Sequence, residues 1–320
     1  MTEISHRTLP VNGINLHVAE AGDGPLVVLL HGFPELWYSW RHQLPFLADA
    51  GYHALAPDLR GYGDSDAPQA VEAYSMRETA KDVAGIIDAV GSEDAVLVGH
   101  DWGANVAWQS ARLFPDRVRA LVTLGVSYSP ELPTTEVIRR FSGDRFNFGL
   151  AVQEPVAEAE LQADVRGTLR RLLYAFSGEA PDGTIDYLFL TKQAGRPVLE
   201  GMPDPESLPA WFSEQDLDVY VRAFERTGFR GGINRYRNMD RDAVELAGLE
   251  RTVRQPVLFI GGELDSAVRY RGPETMREFV PNLKRATILP GCGHWTQQER
   301  PAEVNAELLS FLREESPASN

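Results

Sequence analysis

Apolar residues recur along the chain in two rhythms. Leu26-Val27-Val28-Leu29-Leu30 is an unbroken apolar run of strand length, Tyr52-His53-Ala54-Leu55-Ala56 is another, and Trp37 to Ala48 between them reads as a helix. The alternation continues with an amphipathic helix from about Ser75 to Val90, a strand at Ala95-Val96-Leu97-Val98, and a helix from Ala104 to about Leu113 that stops before Pro115. Ala120-Leu121-Val122-Thr123-Leu124 follows as a strand. Apolar strands separated by helices predict an α/β fold with a mostly parallel sheet, because a strand covered by helices on both faces has no polar side to show.

The pattern changes between about Tyr128 and Leu246, where helix-like segments rich in Arg and Glu are broken by Pro and Gly and no β alternation is evident. This stretch reads as an inserted helical cap over residues 128–246, with an α/β core made of residues 1–127 and 247–320. Strand and helix rhythm resumes at Pro256-Val257-Leu258-Phe259-Ile260 and Arg285-Ala286-Thr287-Ile288-Leu289, and closes with a helix from Ala302 to about Leu312. Residues 317–320 read as a frayed tail. No fixed-period repeat is present, which argues against a solenoid.

Composition narrows the class. The 320 residues are 43% hydrophobic and 24% charged, ordinary globular values that argue against disorder or a coiled coil. No apolar run approaches the roughly 18 to 20 residues a membrane helix needs, and Met1-Thr2-Glu3-Ile4-Ser5 does not begin like a secretory signal, so a cytoplasmic location is expected. A single Cys292 excludes an internal disulfide, in keeping with a reducing compartment. The formal charge of −15 repels phosphate backbones and anionic lipid, so neither nucleic acid nor membrane is an expected partner. Lysine occurs only at 81, 192 and 284, a bias that carries no function.

Gly99-His100-Asp101-Trp102-Gly103 has the form of a nucleophile elbow with aspartate where serine would stand. A carboxylate there attacks alkyl carbon and forms an ester. Water must then cleave that ester at its carbonyl, which calls for a histidine base, an acid to orient it, and N–H donors for an oxyanion. Asp101 follows a strand, where open α/β folds place ligands, although alone it would read as a helix cap. His294, in Gly291-Cys292-Gly293-His294-Trp295, lies just after the last predicted strand. Asp265, in Gly261-Gly262-Glu263-Leu264-Asp265, ends the strand before it, and taken singly could be a turn residue. The order nucleophile, acid, histidine is that of α/β-hydrolases. His31-Gly32-Phe33-Pro34 would supply one oxyanion donor, the Phe33 N–H, with Trp102 N–H as the second; read structurally, it is a tight turn suited to a cis proline.

On these motifs, with Asp58-Leu59-Arg60-Gly61-Tyr62-Gly63, His31 to Glu35, and the cap segments Gln153-Glu154-Pro155, Thr227-Gly228-Phe229-Arg230-Gly231 and Asn234-Arg235-Tyr236-Arg237-Asn238, the chain resembles the soluble-type epoxide hydrolases of the α/β-hydrolase fold over nearly its whole length. The cap segments are the specific part, since the core motifs are shared with dehalogenases. The resemblance implies that Asp101 attacks an epoxide carbon while Tyr236 donates to the ring oxygen. His294, held by Asp265, then activates water, with Phe33 and Trp102 holding the oxyanion and Glu35 helping to orient water and histidine. No metal or cofactor is implied. The family usually carries a second tyrosine where this chain has Phe148, which cannot donate; Tyr187, Tyr174 and Tyr128 are candidate substitutes. Trp37, Phe33, Trp102, Trp211 and Phe148 suggest an aromatic, apolar substrate site. Two rivals stand beside this reading, a haloalkane dehalogenase using the same triad and a non-catalytic ligand-binding protein of the same fold.

Overall fold

The computed structural model describes residues 2–318, so Met1 and the last two residues of the expected tail, Ser319 and Asn320, lie outside the described residues. Eight strands form one sheet: β1 (Ser5–Val11), β2 (Ile14–Ala21), β3 (Leu26–Leu30), β4 (His53–Pro57), β5 (Ala95–His100), β6 (Val118–Leu124), β7 (Val257–Gly262) and β8 (Leu283–Leu289). Their order across the sheet is β1-β2-β4-β3-β5-β6-β7-β8. From β4 to β8 every pair is parallel, while β2 pairs antiparallel with both β1 and β4. The β1–β2 hairpin precedes the first strand expected from sequence. Its turn is Asn12-Gly13, both with positive φ (46° and 76°), the dipeptide a two-residue hairpin turn favours.

Between the strands run α1 (Gln43–Asp49), α2 (Met76–Ala89) and α3 (Trp102–Leu113). The helix expected over Trp37 to Ala48 is instead a 3-10 turn at Trp37–Trp40 followed by α1. Pro45 accounts for the break: with no N–H to give, it is tolerated in a first turn but not in a helix interior. The stretch between β6 and β7 is helical, as α4 (Thr135–Ser142), α5 (Phe148–Ala151), α6 (Pro155–Ala163), α7 (Val165–Ala175), α8 (Thr184–Asp186), α9 (Glu214–Thr227), α10 (Arg230–Arg237) and α11 (Met239–Glu245), with a single π turn at Tyr187–Thr191. Among its described residues the one β contact is an isolated bridge between Arg145 and Gln193. Helices α12 (Ser266–Tyr270), α13 (Thr296–Glu299) and α14 (Pro301–Glu315) complete the chain. No described helix is long and apolar enough to cross a membrane.

The sheet divides the interior in two, with successive strand residues facing opposite sides. Leu26, Val28 and Leu30 of β3, with Leu97, Leu121 and Phe259, pack towards Val83 and Ile86 of α2 and Val106 of α3. Val27 and Leu29, with Val96, Val98, Val122 and Ile260, pack towards Leu44 and Leu47 of α1 and Leu308 and Phe311 of α14. That double coverage is why the central strands read as unbroken apolar runs. The inserted helices share the first of these cores and reach over the carboxyl ends of the strands, where α10 meets the loop after β4 backbone to backbone. A Cβ on Gly231 would lie 2.4 Å from the Gly61 carbonyl oxygen, so only glycine admits this approach.

Candidate active site

Asp101 occupies the single residue between β5 and α3, with φ 51° and ψ −119°. A non-glycine residue in that region costs on the order of 1–3 kcal/mol and persists only where the surroundings enforce it. Here they do: α3 approaches β3 so closely that a Cβ on Gly103 would lie 2.0 Å from the Leu30 carbonyl oxygen. The strain turns the carboxylate out over the sheet edge. There Asp101 Oδ1 accepts the Phe33 N–H at 2.9 Å, on a loop whose Phe33–Pro34 peptide is cis. Trp102 opens α3, so its N–H, like the first N–H groups of any helix, has no intrahelical acceptor.

His294 follows β8 in its loop. Its Nδ1 donates to Asp265 Oδ2 at 3.0 Å, and Asp265 is itself fixed by accepting the Ala267 N–H at 2.9 Å as the cap of α12. This leaves Nε2 facing Asp101 Oδ2 at 3.7 Å, too far for a hydrogen bond. Burial opposes charge on the ring, but Asp265, by charge and hydrogen bond, together with Asp101 and Glu35, pushes His294 up to about 9. The loop is tied down from two directions. His294 N–H donates to the Phe176 carbonyl at 2.8 Å, and Glu299, which sequence reasoning passed over, accepts the N–H groups of Gly178, Gly293 and Trp295 at 2.9 to 3.0 Å.

Glu35 is fully buried. Its Oε2 accepts from Gly32 N–H at 2.8 Å and from His100 Nδ1 at 2.6 Å, and its Oε1 accepts from the side-chain amides of Gln297 and Gln298. Burial alone would raise this carboxyl; the His100 ring, by charge and hydrogen bond, with the Gly32 N–H and His31, brings it below the ordinary value. His100 Nε2 lies 2.8 Å from the His294 carbonyl oxygen, so both its nitrogens face acceptors and it links Glu35 to the histidine loop. His100 stood in the elbow motif with no role assigned. Its signal was a polar ring at the buried end of an apolar strand.

Above Asp101, α10 places Tyr236 with its ring edge-on to Trp102 (centroids 4.8 Å) and near Phe33 (5.8 Å) and Phe148 (6.1 Å). Burial, reinforced by the Asp101 charge, holds the Tyr236 phenol protonated well above its ordinary range, against the pull of a hydrogen bond with the Trp102 side chain. A cavity of about 220 Å³ joins Asp101, His294 and Tyr236, walled by Phe33, Phe148, Leu172, Phe176, Phe189 and Trp295, with Ser266 and the 58% exposed Tyr270 at its rim.

Not every expected residue arrives there. Trp37 does not line the cavity; it packs edge-on against His6 and Tyr38, and its N–H donates to Asp58. Trp211 lies tilted against Phe212 and lines a separate groove with His42 and Pro301. Both were assigned to substrate on aromatic character alone, and both serve packing. Tyr128, whose hydroxyl donates to the Arg251 carbonyl, and Tyr174 and Tyr187 are likewise absent from the cavity lining, so none stands in for a hydroxyl at Phe148. His17, Asp58 and Asp64 gather potential metal donors within 4.8 Å, but Asp58 already accepts from His17, Trp37 N–H and Asp64 N–H, and Asp64 pairs with Arg226.

The family model described as alpha/beta hydrolase fold matches residues 25–301. Epoxide hydrolase A of Mycobacterium tuberculosis is 45% identical, over 96% of this chain and 97% of that protein. Epoxide hydrolase 2 of Siraitia grosvenorii is 40% identical, over 98% and 99%. Among solved structures, epoxide hydrolase A from Mycobacterium thermoresistibile superposes with a TM-score of 0.91 at 45% identity, covering 97% of this chain and 98% of that one.

Proposed function

Because the chain belongs to the α/β-hydrolase-fold family and, within it, is an epoxide hydrolase, we propose that it turns an epoxide and water into a vicinal diol through an ester on Asp101. The observation that carries this reading is the Asp101 carboxylate, held by Phe33 N–H on one oxygen and faced by the His294–Asp265 pair on the other, beneath Tyr236. Since Oδ1 is engaged by Phe33, Oδ2 is the free nucleophile. It attacks an epoxide carbon, the ring C–O bond breaks, and the Tyr236 hydroxyl donates to the departing oxygen.

Ester formation removes the Asp101 charge, one of the anions that raise His294. The ring then gives up its proton through solvent, replacing the one Tyr236 supplied, and as a neutral base takes a proton from water, which attacks the ester carbonyl. The oxyanion forms on Oδ1, already at the Phe33 N–H, with Trp102 N–H as the second donor. Collapse breaks the Cγ–Oδ2 bond, His294 returns the proton it took from water to Oδ2, and the diol leaves. Glu35 and His100 act as positioning residues for the histidine loop. The steps need no metal or cofactor.

Residues 128–246 serve as a cap carrying Tyr236 and the aromatic wall, and that wall suits an apolar or aromatic epoxide. The lone, buried Cys292 supports a cytoplasmic setting. A single turnover of styrene oxide in oxygen-18 water with enzyme in excess tests the mechanism: the label is expected in Asp101 and absent from the first diol. Label entering that diol directly would overturn the ester route, and halide release from a haloalkane without diol formation would overturn the epoxide assignment.

A further inference from the structure

Arg41 follows the 3-10 turn at Trp37–Trp40 and reaches two ways from a largely buried position, its side chain 10% exposed. Its Nε lies 3.2 Å from Oδ1 of Asp216, which also accepts the Tyr38 hydroxyl at 2.9 Å and, through Oδ2, closes the cap of α9 with Ser213. Its Nη1 donates at 2.7 Å to Oε1 of Gln298 on α13. The first contact clasps the helical insertion to the core. The second leads inward, because the other end of the same amide, Gln298 Nε2, donates to Glu35 Oε1 at 3.1 Å.

An amide's two ends are alike in size and opposite in polarity, so the neighbours of a buried one decide which way it faces. Of the three groups bonded to the Gln298 amide among the described residues, two can reverse with it. The Tyr220 hydroxyl, 3.4 Å from Oε1, can donate or accept, and a carboxyl such as Glu35 accepts as an anion but donates when protonated. A turned amide facing a protonated Glu35 would satisfy both, and burial favours that neutral carboxyl. Arg41 removes this second state, since a guanidinium only donates and keeps its charge. We infer that Arg41 is a positioning residue for ester hydrolysis: it holds the Gln298 amide with its N–H towards Glu35, and so keeps Glu35 the anion on which His100 and the His294 loop are seated. The inference rests on the ester mechanism and deepens it. Asp101, Phe33 and Tyr236 make no contact with Arg41 or Gln298, so the attack on the epoxide is spared.

The test follows the two steps separately, by acid-quenching single turnovers of styrene oxide and measuring the mass increase on the Asp101 peptide, whose rise reports ester formation and whose decay reports hydrolysis. A hydrogen bond to a charged group is worth roughly one to two powers of ten, so Arg41→Met and Gln298→Met should each slow the decay about tenfold or more while the rise stays within about threefold of wild type. The double variant should decay no more slowly than Gln298→Met alone, because Arg41 acts through that amide. Asp216→Ala, which removes the clasp on α9 and leaves the Gln298 contact, should decay like wild type. The inference is overturned if Arg41→Met decays at the wild-type rate or slows both phases alike, if the two single losses multiply in the double variant, or if Asp216→Ala reproduces the Arg41→Met defect, which would make Arg41 a clasp and nothing more. The wild type separates the two levels: an ester that forms and decays there, with any of these outcomes in the variants, leaves the mechanism standing and removes this role, whereas diol without an ester on Asp101 removes both.

Discussion

Tyr236 and Phe148 face one another across the cavity with ring centroids 6.1 Å apart, but only one carries a hydroxyl. Loss of a transition-state donor typically costs about 10²- to 10³-fold, and with phenylalanine at 148 and the exposed Tyr270 only at the rim, Tyr236→Phe should lose about 10³-fold in kcat/KM. Phe148→Tyr should raise kcat, by about tenfold, and steady-state kinetics of both variants check the pair. His294 makes a separate prediction through stability. Its folded value of about 9 lies above the ordinary 6.5, so the charged ring stabilises the fold fully below pH 6.5 and loses that contribution as pH rises through 9. The gap in Tm between wild type and His294→Gln should therefore be widest near pH 6 and narrow towards pH 10. The same variant should accumulate the Asp101 ester, visible as a mass increase on its peptide. Asp101, Asp265 and His294 were legible because each sits in a short motif after a strand. Glu299, Gln297 and Gln298 were not, since a polar residue at a helix start reads alike whether it caps a surface turn or holds a buried loop such as that of His294.

Elements were legible where one force set them. The central strands stand within one or two residues of expectation because burial on both faces leaves no other reading of Leu26–Leu30 or Val257–Ile260. Trp37 to Ala48 was misread as one helix because its apolar spacing suits a helix and Pro45 was given no weight. The hairpin at Asn12-Gly13 escaped because β1 shows a mostly exposed face and no apolar run. In the insertion, no residue pattern announces that α10 must lie against the loop after β4, a contact set by Gly61 and Gly231 some 170 positions apart in the chain. Gly231→Ala tests what that contact does: a Cβ there lifts α10, moving Tyr236 away from Asp101, and misplacement by about 1 Å typically costs about 10²-fold. We expect kcat to fall by roughly that factor with far-ultraviolet circular dichroism unchanged.

At the scale of the whole molecule, the excess of 46 acidic over 31 basic side chains acts on every approaching substrate. Epoxides carrying a carboxylate meet repulsion that salt screens, with a Debye length of about 10 Å at 0.1 M. Their kcat/KM should rise between 10 and 200 mM NaCl, while that of a neutral aryl epoxide stays level. The long-range organisation, a sheet interrupted between β6 and β7 by eight helices, followed from the change of rhythm near Tyr128 and its return near Pro256. The ties between the two parts did not, and they bear on how such enzymes can be recombined. The N–H of His294 rests on the carbonyl of Phe176, and Glu299 grips Gly178, so the end of α7 is a mounting for His294, the proposed general base. A chimera that exchanges the helical insertion for that of a relative exchanges the supports of the His294 loop with it. Grafts that cut after Gly178 and keep the native 165–178 stretch should retain ester hydrolysis, whereas grafts cut at Tyr128 should acquire a new substrate range and a slower second step together.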